Sequence, residues 1–362
     1  MGLGAVRAGL KFAAIYPMTP INSLITFLAD HSKKLKLVYK QPEDEIAGIN
    51  MAIGASVSGV RSMVATSGGG FALMVEGVSL AGAIEAPVVI DMGMRVGPAT
   101  GMPTYTEQGE LQFIIHAGHG EFPRIVLAPG DASEAYSMTV DAFNLADQFQ
   151  IPVFVLTDKY LNESQWCLPE ALVKAKVTID RGKLVVESAL PRDRTFKRYD
   201  LTTPDGVSAR SIPGMKNGQY YANSYEHDET GHMTEKASGR AAMVEKHLRK
   251  HAAIQKIAKA PTVYGNPDAE ISFVAWGSMK GPVLETIKNL NANLVHFSWL
   301  YPFPTEATQK LLAGKKRIID VEQNATGQLA SLIREHTGIE ITEKLLKYDG
   351  RPWFPEEILQ KI

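Results

Sequence analysis

The chain has 362 residues, 45% apolar and 21% charged, with a formal net charge of −1, so two domains are expected and the basic footprint of a nucleic-acid or anionic-membrane binder is excluded. No apolar run approaches the ~20 residues that span a bilayer, and no signal-peptide pattern opens the chain. The single Cys167 excludes internal disulfides and any iron–sulfur or zinc site built from several of its own cysteines, so a cytoplasmic protein is expected.

Residues 1–160 alternate short β-like runs with small-residue helices, the pattern of a parallel α/β sheet. The expected strands are Phe12–Tyr16, Leu37–Tyr39, Ser62–Ala65, Pro87–Met92, Arg124–Ala128 and Pro152–Leu156. Between them Ile21–His31, Glu45–Ser58, Gly70–Ala83 and Asp131–Gln148 read as helices. Several strands run into Gly- or Pro-containing turns (YPMTP, TSGGGF, MRVGPATG). Ligands of open α/β sheets bind beyond the carboxyl ends of the strands, so these turns are the candidate site. Residues 173–187 read as a hairpin closed at Asp180-Arg181-Gly182. Residues 191–235 form a long aperiodic excursion packed over another surface, and Thr234–Ala258 a charged, exposed helix. A smaller α/β unit follows, with strands Ile271–Ala275, Ala292–Phe297 and Lys316–Val321 and helices Val283–Leu290 and Gly327–Glu335. The expected division is 1–170, 171–265 and 266–362.

Gln41–Ser56 (QPEDEIAGINMAIGAS) is the most informative stretch. From Ile46 to Ser56 only Asn50 is strongly polar, so the helix reads as built for burial on most sides. Glu45 opens it near the positive end of the dipole, which favours the carboxylate, while partial burial pushes its pKa upward. An acid poised between those effects suits proton transfer. The plainer alternative is that Glu43, Asp44 and Glu45 only cap the helix. Ser67-Gly68-Gly69-Gly70 lacks the Gly-Lys-Ser/Thr of a phosphate loop and reads as packing and interface geometry. His227, with Glu226, Asp228, Glu229 and His232, reads as structural rather than metal-binding. Glu322-Gln323-Asn324 reads as an interface or turn element.

Seven motifs follow in order: YPMTP (16–20), EDEIAGINMAIGAS (43–56), ATSGGGFALMVEG (65–77), RVGPATGMPTYTEQGEL (95–111), GEFPRIVLAPGD (120–131), NSYEHDETGH (223–232) and VEQNATGQLA (321–330). Together they resemble, over essentially the whole chain, the alpha subunit of 2-oxoacid:ferredoxin oxidoreductases. These thiamine diphosphate enzymes include 2-oxoglutarate synthase and pyruvate:ferredoxin oxidoreductase. The resemblance implies a pyrimidine-binding domain, a parallel sheet with flanking helices, and a smaller transketolase-C-terminal-like α/β domain. It implies a beta subunit that carries the diphosphate and Mg²⁺ site and the iron–sulfur cluster. The absence of a GDG…N motif and the single cysteine agree with that division. A gamma domain is expected on a separate chain or lost, with ferredoxin and coenzyme A as the remaining partners.

The activity implied is oxidative decarboxylation of a 2-oxoacid with coenzyme A, giving acyl-CoA, CO₂ and reduced ferredoxin. A non-oxidative thiamine decarboxylase half and a non-catalytic assembly subunit are the alternatives. Glu45 matches the family carboxylate at N1′ of the aminopyrimidine, nine residues before Gly54, a spacing Glu43 lacks. Thr19 matches the Thr turned toward substrate, beside Tyr16 and Pro17 at the cofactor, although capping of the next helix is its simpler role. Arg95 matches the substrate-side Arg, whose planar fork suits a carboxylate. Thr100, Gly101, Thr104 and Gln108 are expected to shape the same loop. The expected acid is 2-oxoglutarate, yet Ile21 and Asn22 replace two hydroxyl residues of the family, which favours a less polar substrate.

Overall fold

Apolar runs bounded by Gly and Pro turns pair into two sheets in the computed structural model, which describes residues 1–190, 195–288 and 290–362. Strands β1 (Phe12–Ala14), β2 (Val38–Lys40), β3 (Ser62–Thr66), β4 (Val88–Met94), β5 (Ile125–Leu127) and β6 (Pro152–Asp158) lie within two residues of the predicted positions. They are followed by β7 (Thr262–Gly265), β8 (Ile271–Trp276), β9 (Ala292–Phe297), β10 (Trp299–Tyr301), β11 (Arg317–Glu322) and β12 (Glu343–Leu346). The first sheet has the order β10-β5-β6-β4-β3-β1-β2 and the second β12-β11-β8-β9-β7. Both are parallel except for one edge strand each, β10 against β5 and β7 against β9. β4 and β6 are buried along their whole length, as central strands covered on both faces must be. The short strands β7, β10 and β12 were not anticipated.

Helices Asn22–Leu35, Glu45–Val57, Gly68–Ala83 and Ala132–Phe149 flank the first sheet. One continuous core joins the two sheets, with Ile90, Val126 and Phe154 in the same cluster as Val274, Val295 and Phe297. Polar locks cross the same seam. Gln108 donates to Trp276 O at 2.9 Å and accepts from Gln323 N at 3.0 Å, and Lys280 bridges to Asp131 at 2.6 Å.

Two expectations are corrected. Residues 173–187 form no hairpin: Glu170–Lys174 is helical, and the chain beyond it lies along helix Ala132–Phe149. Asn144 and Gln148 bond Thr178 O and Asp180, and Arg7 takes Ala175 O, so side chains occupy groups a second strand would need. The helix of 234–258, observed as Ala237–Gln255, is not an exposed bridge, because Met243, Lys246, His247, Lys250 and Ile254 are buried. Helix Glu45–Val57 is covered on most sides, as expected, with Glu45, Gly48, Ile49, Ala52, Ile53 and Ser56 buried. Ile46, Asn50 and Gly54 form an open stripe, with Ile46 48% exposed. Residues 191–194 of the expected excursion and residue 289 of the expected helix Val283–Leu290 lie outside the described residues.

Two buried carboxylates anchor the excursion. Asp147 is 2.8–2.9 Å from Arg61, Arg181 and Arg210. Glu85 meets Lys246, Lys250 at 3.1 Å and Arg198 at 3.4 Å. Each carboxylate draws chain distant in sequence onto a helix end of the first unit.

Candidate active site

The carboxyl ends of β1, β3 and β4 feed the turns YPMTP, Ser67–Gly70 and Arg95–Gly101, and the three turns converge. Asp44 is the N-cap of helix Glu45–Val57 and accepts from Ala47 N at 2.8 Å. Capping is thus the work of Asp44, which leaves Glu45 free to turn inward. Glu45 is 3% exposed, whereas Glu43 is exposed, and Glu45 Oε1 has no hydrogen-bond partner. Burial pushes its acid upward and the charge of Asp44 adds to that, opposed by a backbone hydrogen bond.

Gly70 faces this carboxylate. A Cβ built there would lie 2.3 Å from Glu45 Oε1 and 2.1 Å from Thr66 Oγ1, so only glycine leaves the carboxylate its room. Gly68 stands in the same relation to a residue the sequence did not single out, Glu110, whose Oε1 would be 2.7 Å from such a Cβ. Ser67 Oγ and Glu110 Oε2 are, like Glu45 Oε1, buried and unpartnered. Burial and the charge of Glu107 push Glu110 up to about 8, with Arg95 opposing. In sequence, Glu110 sits just before the apolar run LQFII and passes for a helix cap. Only the fold reveals it.

Arg95 follows β4 directly, and its Nη1 donates to Thr19 O at 2.8 Å. The two residues are therefore neighbours across 76 positions of chain. Thr19 does not cap the following helix, whose N-cap is Ile21; its hydroxyl accepts from Asn22 Nδ2 at 3.3 Å. Tyr16 and Pro17 lie exposed on the same turn. Thr100, Gly101 and Thr104 lie exposed on the loop beyond Arg95, where Gly101 at φ +54° comes close to Val96 O. Gln108 departs from expectation. It is fully buried in the seam between the sheets, where it meets Gln323, while Asn324 donates to Gln108 O at 3.1 Å. Glu322-Gln323-Asn324 is thus an interface within the chain. His227 is buried against the Tyr199 ring at 4.0 Å, with Nδ1 at Tyr225 O. Among the described residues no group of three or more His, Cys, Asp or Glu is placed to hold a metal, and no helix is long and apolar enough to cross a membrane.

An orphaned buried carboxylate oxygen needs a donor from outside the chain, and the protonatable ring nitrogen of an aminopyrimidine is such a donor. The residues fit the group. The family model described as "pyruvate flavodoxin/ferredoxin oxidoreductase, thiamine diP-bdg" matches residues 3–246, and "pyruvate:ferredoxin oxidoreductase core domain II" matches residues 269–358. The chain belongs to this oxidoreductase family.

Relatives carry the same stamp. The 2-oxoacid:ferredoxin oxidoreductase subunit alpha of Saccharolobus solfataricus is 39% identical over 99% of this chain and 59% of its own length. The 2-oxoglutarate synthase subunit KorA of Methanocaldococcus jannaschii is 31% identical over 89% of this chain and 85% of its own. Among solved structures, the 2-oxoglutarate:ferredoxin oxidoreductase from Magnetococcus marinus, with 2-oxoglutarate, coenzyme A and succinyl-CoA bound, superposes with a TM-score of 0.90 at 35% identity. That match covers 99% of this chain and 62% of the other. The chain spans about three-fifths of the length of the alpha subunits it matches.

Proposed function

We propose that this chain is the alpha subunit of a 2-oxoacid:ferredoxin oxidoreductase, converting a 2-oxoacid, coenzyme A and two oxidised ferredoxins to acyl-CoA, CO₂ and two reduced ferredoxins. The observation that carries the reading is the buried, unpartnered Glu45 carboxylate facing Gly70, beside the Arg95–Thr19 pair. Bound thiamine diphosphate would supply a carbon nucleophile and an electron sink. Glu45 would hold a proton at the pyrimidine ring nitrogen, and its raised affinity for protons suits that task. Arg95, fixed through Thr19 O, keeps donors for the substrate carboxylate. The Thr19 hydroxyl and the exposed Tyr16-Pro17 edge line the approach to both ligands.

A beta subunit would bring the diphosphate, Mg²⁺ and iron–sulfur sites. Its seat is the open face of two packed helices, where Ile46 is 48% and Leu73 50% exposed beside the site. The relative and the solved structure named for 2-oxoglutarate make that the first acid to test. A cytoplasmic setting fits the single, free Cys167.

The test is coenzyme A-dependent viologen reduction by this chain assembled with its beta subunit, over a panel of 2-oxoacids. Turnover is expected, and silence from an assembled complex with thiamine diphosphate and cluster in place would sink the reading. In the same assay Arg95→Ala is expected to raise KM for the 2-oxoacid by about 10²-fold, the loss of a charged hydrogen-bonded contact, with KM for coenzyme A unmoved. An unchanged KM for the acid removes Arg95 from the substrate site.

A further inference from the structure

The chemistry assigned above uses one of the orphaned groups in the site and leaves Glu110 idle. Glu110 lies against Gly68, two residues from the glycine that faces Glu45. Its Oε2 is buried without a partner. Glu107 stands nearby with its Oε2 accepting from Gly97 N at 3.1 Å, and both acids act on the end of the site that holds Arg95. With both ionised, Arg95 would sit in a net negative surround, and an incoming carboxylate would be repelled rather than bound.

The geometry points to Glu110 as a specificity-determining residue: it must carry its proton for the Arg95 end of the site to accept the carboxylate of a 2-oxoacid. The inference rests on the reading of Arg95 as the carboxylate clamp. The charged groups that face Glu110 are Glu107 and Arg95 on its own loop, with the positive end of helix Gly68–Ala83 beside it. Burial and Glu107 outweigh the cationic neighbours, so Glu110 is neutral near pH 7 and ionises above about 8. The coupling is reciprocal. A substrate carboxylate at Arg95 strengthens the hold of Glu110 on its proton, and loss of that proton weakens substrate binding. The Arg95 charge is thus kept for an anionic substrate by a Glu110 that stays neutral beside it.

The experiment measures kcat and KM for the 2-oxoacid from pH 6.5 to 9.5 at saturating coenzyme A in the assembled holoenzyme. For the native enzyme KM is expected to climb about tenfold per pH unit above pH 8, the slope of one titration, with kcat changing far less. In Glu110→Gln, which imitates the neutral acid, KM should stay flat across the same range. In Glu107→Gln the climb should begin at lower pH, because removing that negative charge eases ionisation of Glu110. An alkaline climb retained in Glu110→Gln, beside a raised KM in Arg95→Ala, overturns the role of Glu110 alone. A native KM in Arg95→Ala overturns instead the clamp on which it rests. Should Glu110→Gln fail to assemble, the native profile decides, since a KM flat to pH 9.5 overturns the assignment.

Discussion

Glu45→Gln is expected to leave the subunit folded and assembled while cutting turnover by about 10²–10⁴-fold, the usual contribution of a positioned acid–base group. The change keeps the shape of the side chain. Asp44 still caps the helix and Gly70 still leaves the space, so the loss falls on proton transfer rather than packing. A neutral amide neither takes nor returns the ring-nitrogen proton. The check is steady-state kcat beside gel filtration and far-ultraviolet circular dichroism, and kcat within threefold of native would remove Glu45 from the proton path. The same substitution at Glu43, which is exposed, is the built-in control.

The second large effect lies far from the site. Glu85→Ala is expected to destabilise the chain by about 3–5 kcal/mol, because it strips the counter-ion from buried cations. Lys246, Lys250 and Arg198 all converge on this carboxylate, and their side chains are at most 2% exposed. Thermal unfolding should show a fall in Tm of several degrees, and a Tm within one degree of native would refute the anchor. The cations hold Glu85 well below the usual carboxylate range. Its stabilisation is therefore complete above the unfolded pKa and fades only as pH falls through the lower folded value, in strong acid. Lys250 runs the other way, its burial pushing it down to about 7. Between that value and the ordinary lysine range the unfolded chain binds more protons, so this residue makes stability rise with pH there.

Several residues that the fold brings together in the candidate site had left local marks in the sequence. A carboxylate opening an apolar helix marked Glu45, and the nine-residue spacing to Gly54 implied by the family resemblance set it apart from Glu43. An Arg directly after a buried-type strand, within a Gly/Pro loop, marked Arg95 as a candidate, and the fold sets it beside Thr19. Glu110 left no such mark, since a Glu before LQFII has the same local pattern whether it caps a helix or leans on Gly68. Gln108 misled for a related reason: its loop reaches the site while its own side chain turns into the seam against Trp276 and Gln323.

The sheet was readable where strands were long and apolar, and less so elsewhere. Strand β10 has three residues and exists only because β5 offers it an edge. The supposed hairpin at 173–187 had the right alternation and turn, yet side chains of helix Ala132–Phe149 and Arg7 hold its carbonyls and turn. The excursion could be expected to pack but not where, because its anchors pair residues such as Asp147 and Arg210, 63 positions apart. Periodicity carries no record of such pairs.

The short strand β10 also sets a limit on how this polypeptide can be divided. It arises among the elements of the second sheet, yet it closes the edge of the first, antiparallel to β5. A fragment ending before Trp299 would present β5 as a bare edge, open to pairing with other copies. Scission there would therefore yield aggregation rather than a soluble half, and heating the intact chain should melt both sheets in a single calorimetric transition.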